Sequence, residues 1–222
     1  FLADVGHELR TPLTVIRGNL DLMQKMGSEP DPESIAILQD EVDRLSRLVG
    51  DLLLLAQAES GKLPLEQKRV DLDTVVLEVF QQGQILSEGN TNIQLIDFDQ
   101  VQVCGDRDRI KQVFLNLITN AIKYTPNDGE VKLSLGQRDD WAYFLVQDNG
   151  PGIPKEDQPH IFERFFRTEK SRSRSKDGKG FGLGLSIAYW IVRNHEGRIE
   201  MSSIEKQGTT FCVWLPVKLE DC

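Results

Sequence analysis

Asp148-Asn149-Gly150-Pro151-Gly152-Ile153-Pro154 is the stretch on which the reading of this chain turns. It follows directly on Ala142 to Val146, an apolar run that predicts a strand. An acid at a strand end ahead of two glycines lets the backbone approach a flat ligand closely, and its carboxylate can accept a hydrogen bond from an exocyclic amine. Taken alone, the same residues are commoner in a plain turn. The weight comes from what flanks them.

Downstream, Gly178, Gly180, Gly182 and Gly184, the last two on either side of Leu183, open a helix expected over Gly184 to His195. Bare amides at a helix N-terminus, where the macrodipole is positive, form an anion site. A flexible hinge is the competing reading. Upstream, a helix expected over Arg107 to Lys123 carries Asn116 and Asn120 one turn apart on the flank of an apolar face, with Lys123 beside them. Amide oxygens can ligate a hard cation such as Mg²⁺, and a lysine adds a point charge for phosphates. Ordinary polar surface is the alternative.

Around these motifs the pattern is mixed. A helix is expected from Leu72 to Phe80, and strands near Ile93 to Phe98, Val101 to Cys104, Val131 to Leu135, Arg198 to Ser203 and Thr209 to Leu215. Strands grouped with intervening helices predict an α+β layer sandwich rather than a doubly wound parallel sheet. Arg164 to Lys179, basic and interleaved with serines, cannot bury a core and is expected to be a mobile loop.

The N-terminal third has a different period. Leu2, Val5, Leu9, Leu13, Ile16, Leu20 and Met23 trace one helical stripe, which Gly27 and Ser28 end. Asp31-Pro32-Glu33 supplies a cap, a first-turn proline and an acid matched to the dipole of a second helix. That helix repeats Ile35, Leu38, Val42, Leu45, Val49, Leu52 and Ala56. Two helices alone bury little, so the simplest completion is a four-helix bundle with a second copy; packing of both stripes on the same chain is the alternative. Ser60 to Pro64 punctuates the way to the next domain. On the first helix His7 lies roughly 160° from the apolar stripe at about 100° per residue, so it faces solvent, with Glu8 next to it, Thr11 a turn on and Pro12 placed to kink the helix. On this segment alone a solvated polar face explains it.

With 222 residues, 39% of them hydrophobic and 27% charged, the composition is that of a globular protein of two domains. A net charge of −9 speaks against nucleic-acid binding. Cys104, Cys212 and Cys222 are too few and scattered for a disulfide framework or a zinc site, which favours a reducing compartment. No apolar run reaches the roughly 18 residues that span a bilayer. The chain starts at Phe1 within a helical pattern and without an initiator Met, and is read as a fragment.

The exposed His-Glu helix, the Asn-x3-Asn helix, the Asp-x-Gly-x-Gly turn and the Gly-x-Gly-x-Gly helix start occur in the order found in sensor histidine kinases of two-component systems, and over essentially its whole length the chain resembles them. The resemblance implies a multidomain protein: a helical hairpin for dimerisation and histidine phosphotransfer at 1–62, a linker at 63–69, and at 70–222 a catalytic ATP-binding domain with the two-layer sandwich of Hsp90 and gyrase. It implies that His7 is the phosphoacceptor, that Glu8 orients or deprotonates its ring, and that Thr11 positions water for phosphatase action on a partner. It implies Mg²⁺ on Asn120 with Asn116 beside it, Lys123 and Tyr124 near the nucleotide, Asp148 on the adenine amine, and Gly150, Gly152 and Ile153 shaping that pocket. Phe162, Arg164, Phe165 and Arg167 match a phenylalanine-rich box leading into an ATP lid; Gly180, Gly182, Leu183 and Gly184 match the phosphate-binding turn. The implied cofactors are ATP and Mg²⁺, and the partners a second copy and the receiver domain of a response regulator. The implied location is the cytoplasmic side of a parent at the inner cell membrane.

Three positions depart from the family pattern: Gly6 where serine is frequent, Phe181 where a small hydroxylated residue is usual, and Glu196 in place of a frequent glycine. The implied reaction is attack of the neutral His7 imidazole, a side chain with a reference pKa of about 6.5, on ATP, then transfer to an aspartate. A nucleotide-hydrolysing conformational machine and a non-catalytic nucleotide-binding scaffold remain as alternatives.

Overall fold

In the computed structural model residues 2–26, 31–168, 180–218 and 222 are described, residues 2–4 and 26 by backbone alone. The segment expected to be a mobile loop lies outside the described residues from 169 to 179.

Two long helices come first, α1 (Leu2–Met26), unbroken through Pro12, and α2 (Pro32–Glu59). Asp31 caps α2: its carboxylate accepts from the Ser34 N–H at 2.8 Å and the Ser34 hydroxyl at 2.6 Å. A cap of this kind contributes about 1 kcal/mol. The end of α2 packs on the rest of the chain, where Leu48, Leu54, Leu55 and Ala58 are buried. Toward the hairpin tip the apolar stripes remain open, with Leu20 and Val42 each 51% exposed.

Next come β1 (Lys68–Asp71), α3 (Leu72–Leu86), β2 (Thr91–Phe98), β3 (Gln102–Gly105), α4 (Arg107–Tyr124), β4 (Gly129–Arg138), β5 (Trp141–Asp148), α5 (Gly184–Asn194), β6 (Arg198–Ile204) and β7 (Gly208–Pro216). The main sheet runs β2-β4-β5-β7-β6, with β2 parallel to β4 and every other pair antiparallel. The helices α3, α4 and α5 pack side by side, and Phe114 of α4 stacks on Phe144 of β5 with ring centroids 4.0 Å apart. This is the expected layered α+β arrangement.

A second small ribbon pairs β1 with β3 and was not anticipated, because Lys68-Arg69-Val70-Asp71 offers one apolar residue and no alternation. Lys68 and Arg69 of that strand fall in the stretch assigned to a linker. The cysteine reading also needs correction. Cys104 on β3 and Cys222 are joined in a disulfide, Cα to Cα 5.7 Å. The chain leaves β7, pairs Lys218 with Glu196, and so approaches β3, a meeting that residues 118 positions apart do not advertise in sequence. Cysteine count therefore gives no guide to the redox compartment. Cys212 stays a free thiol, pushed up to about 11 by burial and by Glu200.

His195 fastens α5 to the start of α4. Its Nε2 accepts from the Asp106 backbone N–H at 3.0 Å, and its Nδ1 sits 2.8 Å from the Ile191 carbonyl, so the buried ring is neutral with its proton on Nδ1. Burial lowers its pKa, opposed by the Ile191 carbonyl and the Asp106 carboxylate. A second proton would make Nε2 a donor facing another donor. Because the folded value lies below the unfolded one of about 6.5, this stabilisation is complete above pH 6.5 and is lost as pH falls through the folded value. Urea midpoints measured from pH 7.5 to 5 should decline, with a slope contribution of at most about 1.4 kcal/mol per pH unit from this group, and His195→Gln should flatten that decline.

Candidate functional site

A cavity opens where the C-terminal half of α4 meets the ends of β5 and β7. Asn120, Ala121 and Tyr124 of α4 line one side, Gly152 and Ile153 another, Phe166, Arg167 and Leu185 a third, and Asp148, Thr209 and Phe211 the floor. Strand register explains the floor: Asp148 closes β5 and pairs with Thr209 at the start of β7.

Asp148 is only 9% exposed. Its Oδ1 accepts from the backbone N–H of Gly150 at 2.8 Å and of Thr209 at 3.3 Å. Burial raises its pKa above the ordinary carboxylate value, and these two donors offset part of that rise. Both act on Oδ1, which leaves Oδ2 as an acceptor for whatever enters the cavity. Gly208 makes this possible: with φ of 114° and a Cβ that would collide with the Asp148 carbonyl oxygen, no other residue lets β7 begin so close to the acid.

Asn120 lines the cavity, whereas Asn116 does not; its Nδ2 donates to the Gly184 carbonyl at 3.0 Å and so ties α4 to the first residue of α5. Lys123 lies with Nζ 5.3 Å from the Tyr124 ring centroid and 3.3 Å from where a Gly180 Cβ would stand. Burial, and then the neighbouring Arg167 guanidinium, hold its ammonium below the ordinary lysine value. Two cations at one rim of a cavity and bare glycines beside them favour a polyanion.

Gly182 accepts from the Phe165 N–H at 3.1 Å, with φ of 74° and the Phe166 carbonyl 2.8 Å from where its Cβ would be, so the glycine turn lies against the phenylalanine-rich segment. Leu183 is buried beneath it and Gly184 starts α5. Gly150 is packed under the floor, where a Cβ would come 3.0 Å from the Tyr124 carbonyl oxygen.

Phe162 and Arg164 fall elsewhere. Phe162 packs on Tyr189 and Phe211 with centroids 5.6 and 6.4 Å away, and Arg164 forms an ion pair with Glu59 at the end of α2. Both border a separate groove with Phe165 and Trp190 rather than the cavity. The motif places them near the lid, but it says nothing of which way each side chain turns. Conversely, Ile161, Phe166, Thr168, Leu185, Thr209 and Phe211 line the cavity and were not singled out. Thr209 had a usable signal, a Gly-Thr pair opening a strand; the apolar ones read as core.

On α1, His7 and Thr11 are exposed, Glu8 is half-buried and Pro12 is buried. The imidazole therefore faces away from the packed side, as its spacing predicts. None of the four lines the cavity.

Among the described residues no group of three or more His, Cys, Asp or Glu could hold a metal. A cation here would have the Asn120 amide oxygen as its protein donor and would take its other ligands from phosphates and water, a mode that suits Mg²⁺.

Residues 1–61 match the family model "His Kinase A (phospho-acceptor) domain", and residues 105–219 match "Histidine kinase-, DNA gyrase B-, and HSP90-like ATPase". The signal transduction histidine-protein kinase BaeS of Escherichia coli is 40% identical over 222 residues, covering 98% of this chain and 46% of that protein. The structure of the Acinetobacter baumannii histidine kinase AdeS superposes with a TM-score of 0.79 at 30% identity, covering 96% of this chain and 98% of that one. Histidine kinase ThkA, solved in complex with response regulator protein TrrA, gives a TM-score of 0.73 at 29% identity over 100% of this chain and 62% of that one. The chain spans about half the length of curated relatives such as BaeS, 46%, and the Pseudomonas aeruginosa phosphate regulon sensor PhoR, 51%.

Proposed function

Because this chain belongs to the sensor histidine kinases of two-component signal transduction, we propose that it moves the γ-phosphoryl group of ATP onto His7 and then onto an aspartate of a response regulator. The division of labour follows the expected domains, a phosphoacceptor hairpin at 1–62 and a catalytic domain to 222, with the expected linker shortened to 63–67 because β1 starts the catalytic domain at Lys68. The observation that carries the reading is the pairing, in one chain, of a solvent-facing imidazole on α1 with a cavity whose buried acid has one oxygen tied to backbone and the other available.

Asp148 Oδ2 accepts from the adenine amine, with the Gly150 and Thr209 amides fixing the carboxylate. Tyr124, Ile153 and Phe211 give the base apolar walls. Lys123 and Arg167 face the phosphates, and the Gly180 to Gly184 turn offers amides at the head of α5. Asn120 would hold magnesium, with Asn116 bracing α4 against α5; the ion, when bound, would supply positive charge to the phosphates of the nucleotide. At the acceptor, a neutral His7 nitrogen attacks the γ-phosphorus as the bond to the β–γ bridging oxygen breaks and ADP leaves, while Glu8 steadies the ring and the positive charge that develops on it. Positioning and electrostatics carry most of such a transfer. Thr11 serves the reverse task, aligning water on a phosphorylated receiver. Anchorage of a longer parent at the cell membrane belongs to the same proposal; no helix among the described residues is long and apolar enough to cross one.

The open stripes on α1 and α2 are the dimer face. Leu20→Glu combined with Val42→Glu should turn a concentration-independent dimer into a monomer in sedimentation velocity, while nucleotide binding persists. A dimer undisturbed by both charges would place the contact elsewhere. The reaction class is tested by incubating the chain with γ-labelled ATP and Mg²⁺: label that is lost in acid and kept in base marks a phosphohistidine. Release of free phosphate with no protein-bound label would mark a hydrolytic ATPase, and binding without either would mark a scaffold.

A further inference from the structure

Phe181 stands between Gly180 and Gly182, at the position where the family pattern has a small hydroxylated residue, and its side chain is only 9% exposed. Part of its cover comes from the hairpin: the Arg44 guanidinium of α2 lies 5.0 Å from the ring centroid. Arg44 is itself held by Glu41, one turn earlier, at 3.4 Å. Leu48, Leu55 and Ala58 carry the same helix onward into its packing with α5, where Asn194 Nδ2 donates to the Ala58 carbonyl at 3.3 Å, and Glu59 pairs with Arg164. The glycine turn is thus gripped from two sides, at the Gly182 carbonyl by Phe165 of its own domain and at Phe181 by α2.

Across the turn sits Lys123, with Nζ 3.3 Å from the position of a Gly180 Cβ. The ammonium therefore lies against the open face of the turn, in the space a phosphate would share with the bare amides, and a phosphate that enters between them parts the two, Phe181 moving with the turn.

We propose that Phe181 is a positioning residue whose contact with Arg44 holds the phosphate turn shut, so that nucleotide and the hairpin compete for it. The inference rests on the reading that the cavity takes ATP. Coupling of this kind is reciprocal. α2 weakens nucleotide binding, and nucleotide loosens the catalytic domain from α2.

The test is a fluorescent ATP analogue with Mg²⁺, titrated into the full chain and into Arg44→Gln, Phe181→Leu and the double variant. Each single change should tighten binding about three- to tenfold, the range a partly desolvated cation–π contact supports. The double variant should bind no more tightly than the better single one. Arg47→Gln removes the same charge from the same helix outside the contact and should change nothing. In autophosphorylation, KM for ATP should fall in Arg44→Gln with kcat not reduced. A merely structural role predicts the opposite sign, since a loosened fold binds less. Unchanged or weakened affinity in the single variants, or additive gains in the double, would overturn the coupling while leaving the kinase reading in place. A wild-type chain that binds no nucleotide at all would overturn both.

Discussion

His7→Gln removes protein-bound label altogether, a fall of at least about 10³-fold, with ATP affinity and thermal stability unchanged. The size follows from chemistry: the imidazole is the attacking atom's only source, and a carboxamide nitrogen is not a nucleophile near neutral pH. The silence in stability follows from position. His7 is exposed on α1, and an exposed substitution away from caps and networks moves stability by no more than about 0.5 kcal/mol. The measurement is incorporation from γ-labelled ATP beside a parallel nucleotide titration. Label that survives in the variant would remove His7 from its role; label and binding lost together would point to a folding defect.

Asp148→Asn should weaken ATP and ADP to a similar degree, by about 10- to 100-fold, because adenine is common to both. A hydrogen bond to an ionised group contributes about 1.5–3 kcal/mol, and the substitution removes the charge while leaving the shape. The geometry makes the site unforgiving: Oδ1 is committed to Gly150 and Thr209, so an amide that keeps its oxygen there turns its NH₂ toward the adenine amine, donor against donor. The same NH₂ can face the carbonyl of guanine, so the preference for ATP over GTP should narrow. Since burial raises the Asp148 pKa, ATP affinity of the wild type should also begin to fall at a higher pH than an ordinary carboxylate dictates. Isothermal titration with ATP, ADP and GTP reads all three effects. Equal affinity of Asp148→Asn and wild type for ADP would exclude the acid as the adenine contact.

Elements with a strong local signal were legible from the chain alone. The cap at Asp31 and the start of α2 at Pro32 are written in three adjacent residues, and the stripes of α1 and α4 in their 3.6-residue period. The outward direction of His7 follows from the same arithmetic. Strands β4 to β7 were found within a few residues because their inner faces alternate. What could not be read depends on distant partners. The heptad of α2 leaves out Leu54, Leu55 and Ala58, and only its packing with α5 shows that they serve a seam within one chain. Arg164 belongs to a lid motif by sequence but pairs with Glu59 more than a hundred positions away. Thr209 becomes part of the site only through the register that sets it opposite Asp148, and Cys104 and Cys222, 118 positions apart, meet only in the folded chain.

The proposed reaction makes one bond, between a phosphorus atom delivered by the α4–β5–β7 cavity and a nitrogen of His7. Digestion at mildly basic pH after incubation with ATP and Mg²⁺, followed by electron-transfer mass spectrometry, locates that bond directly. A single phosphoryl group on His7 is expected in the peptide that contains it, with a yield that falls in Asp148→Asn at ATP concentrations below saturation. A phosphoryl group on a serine, threonine or aspartate in its place, or on His160 or His195, would contradict it.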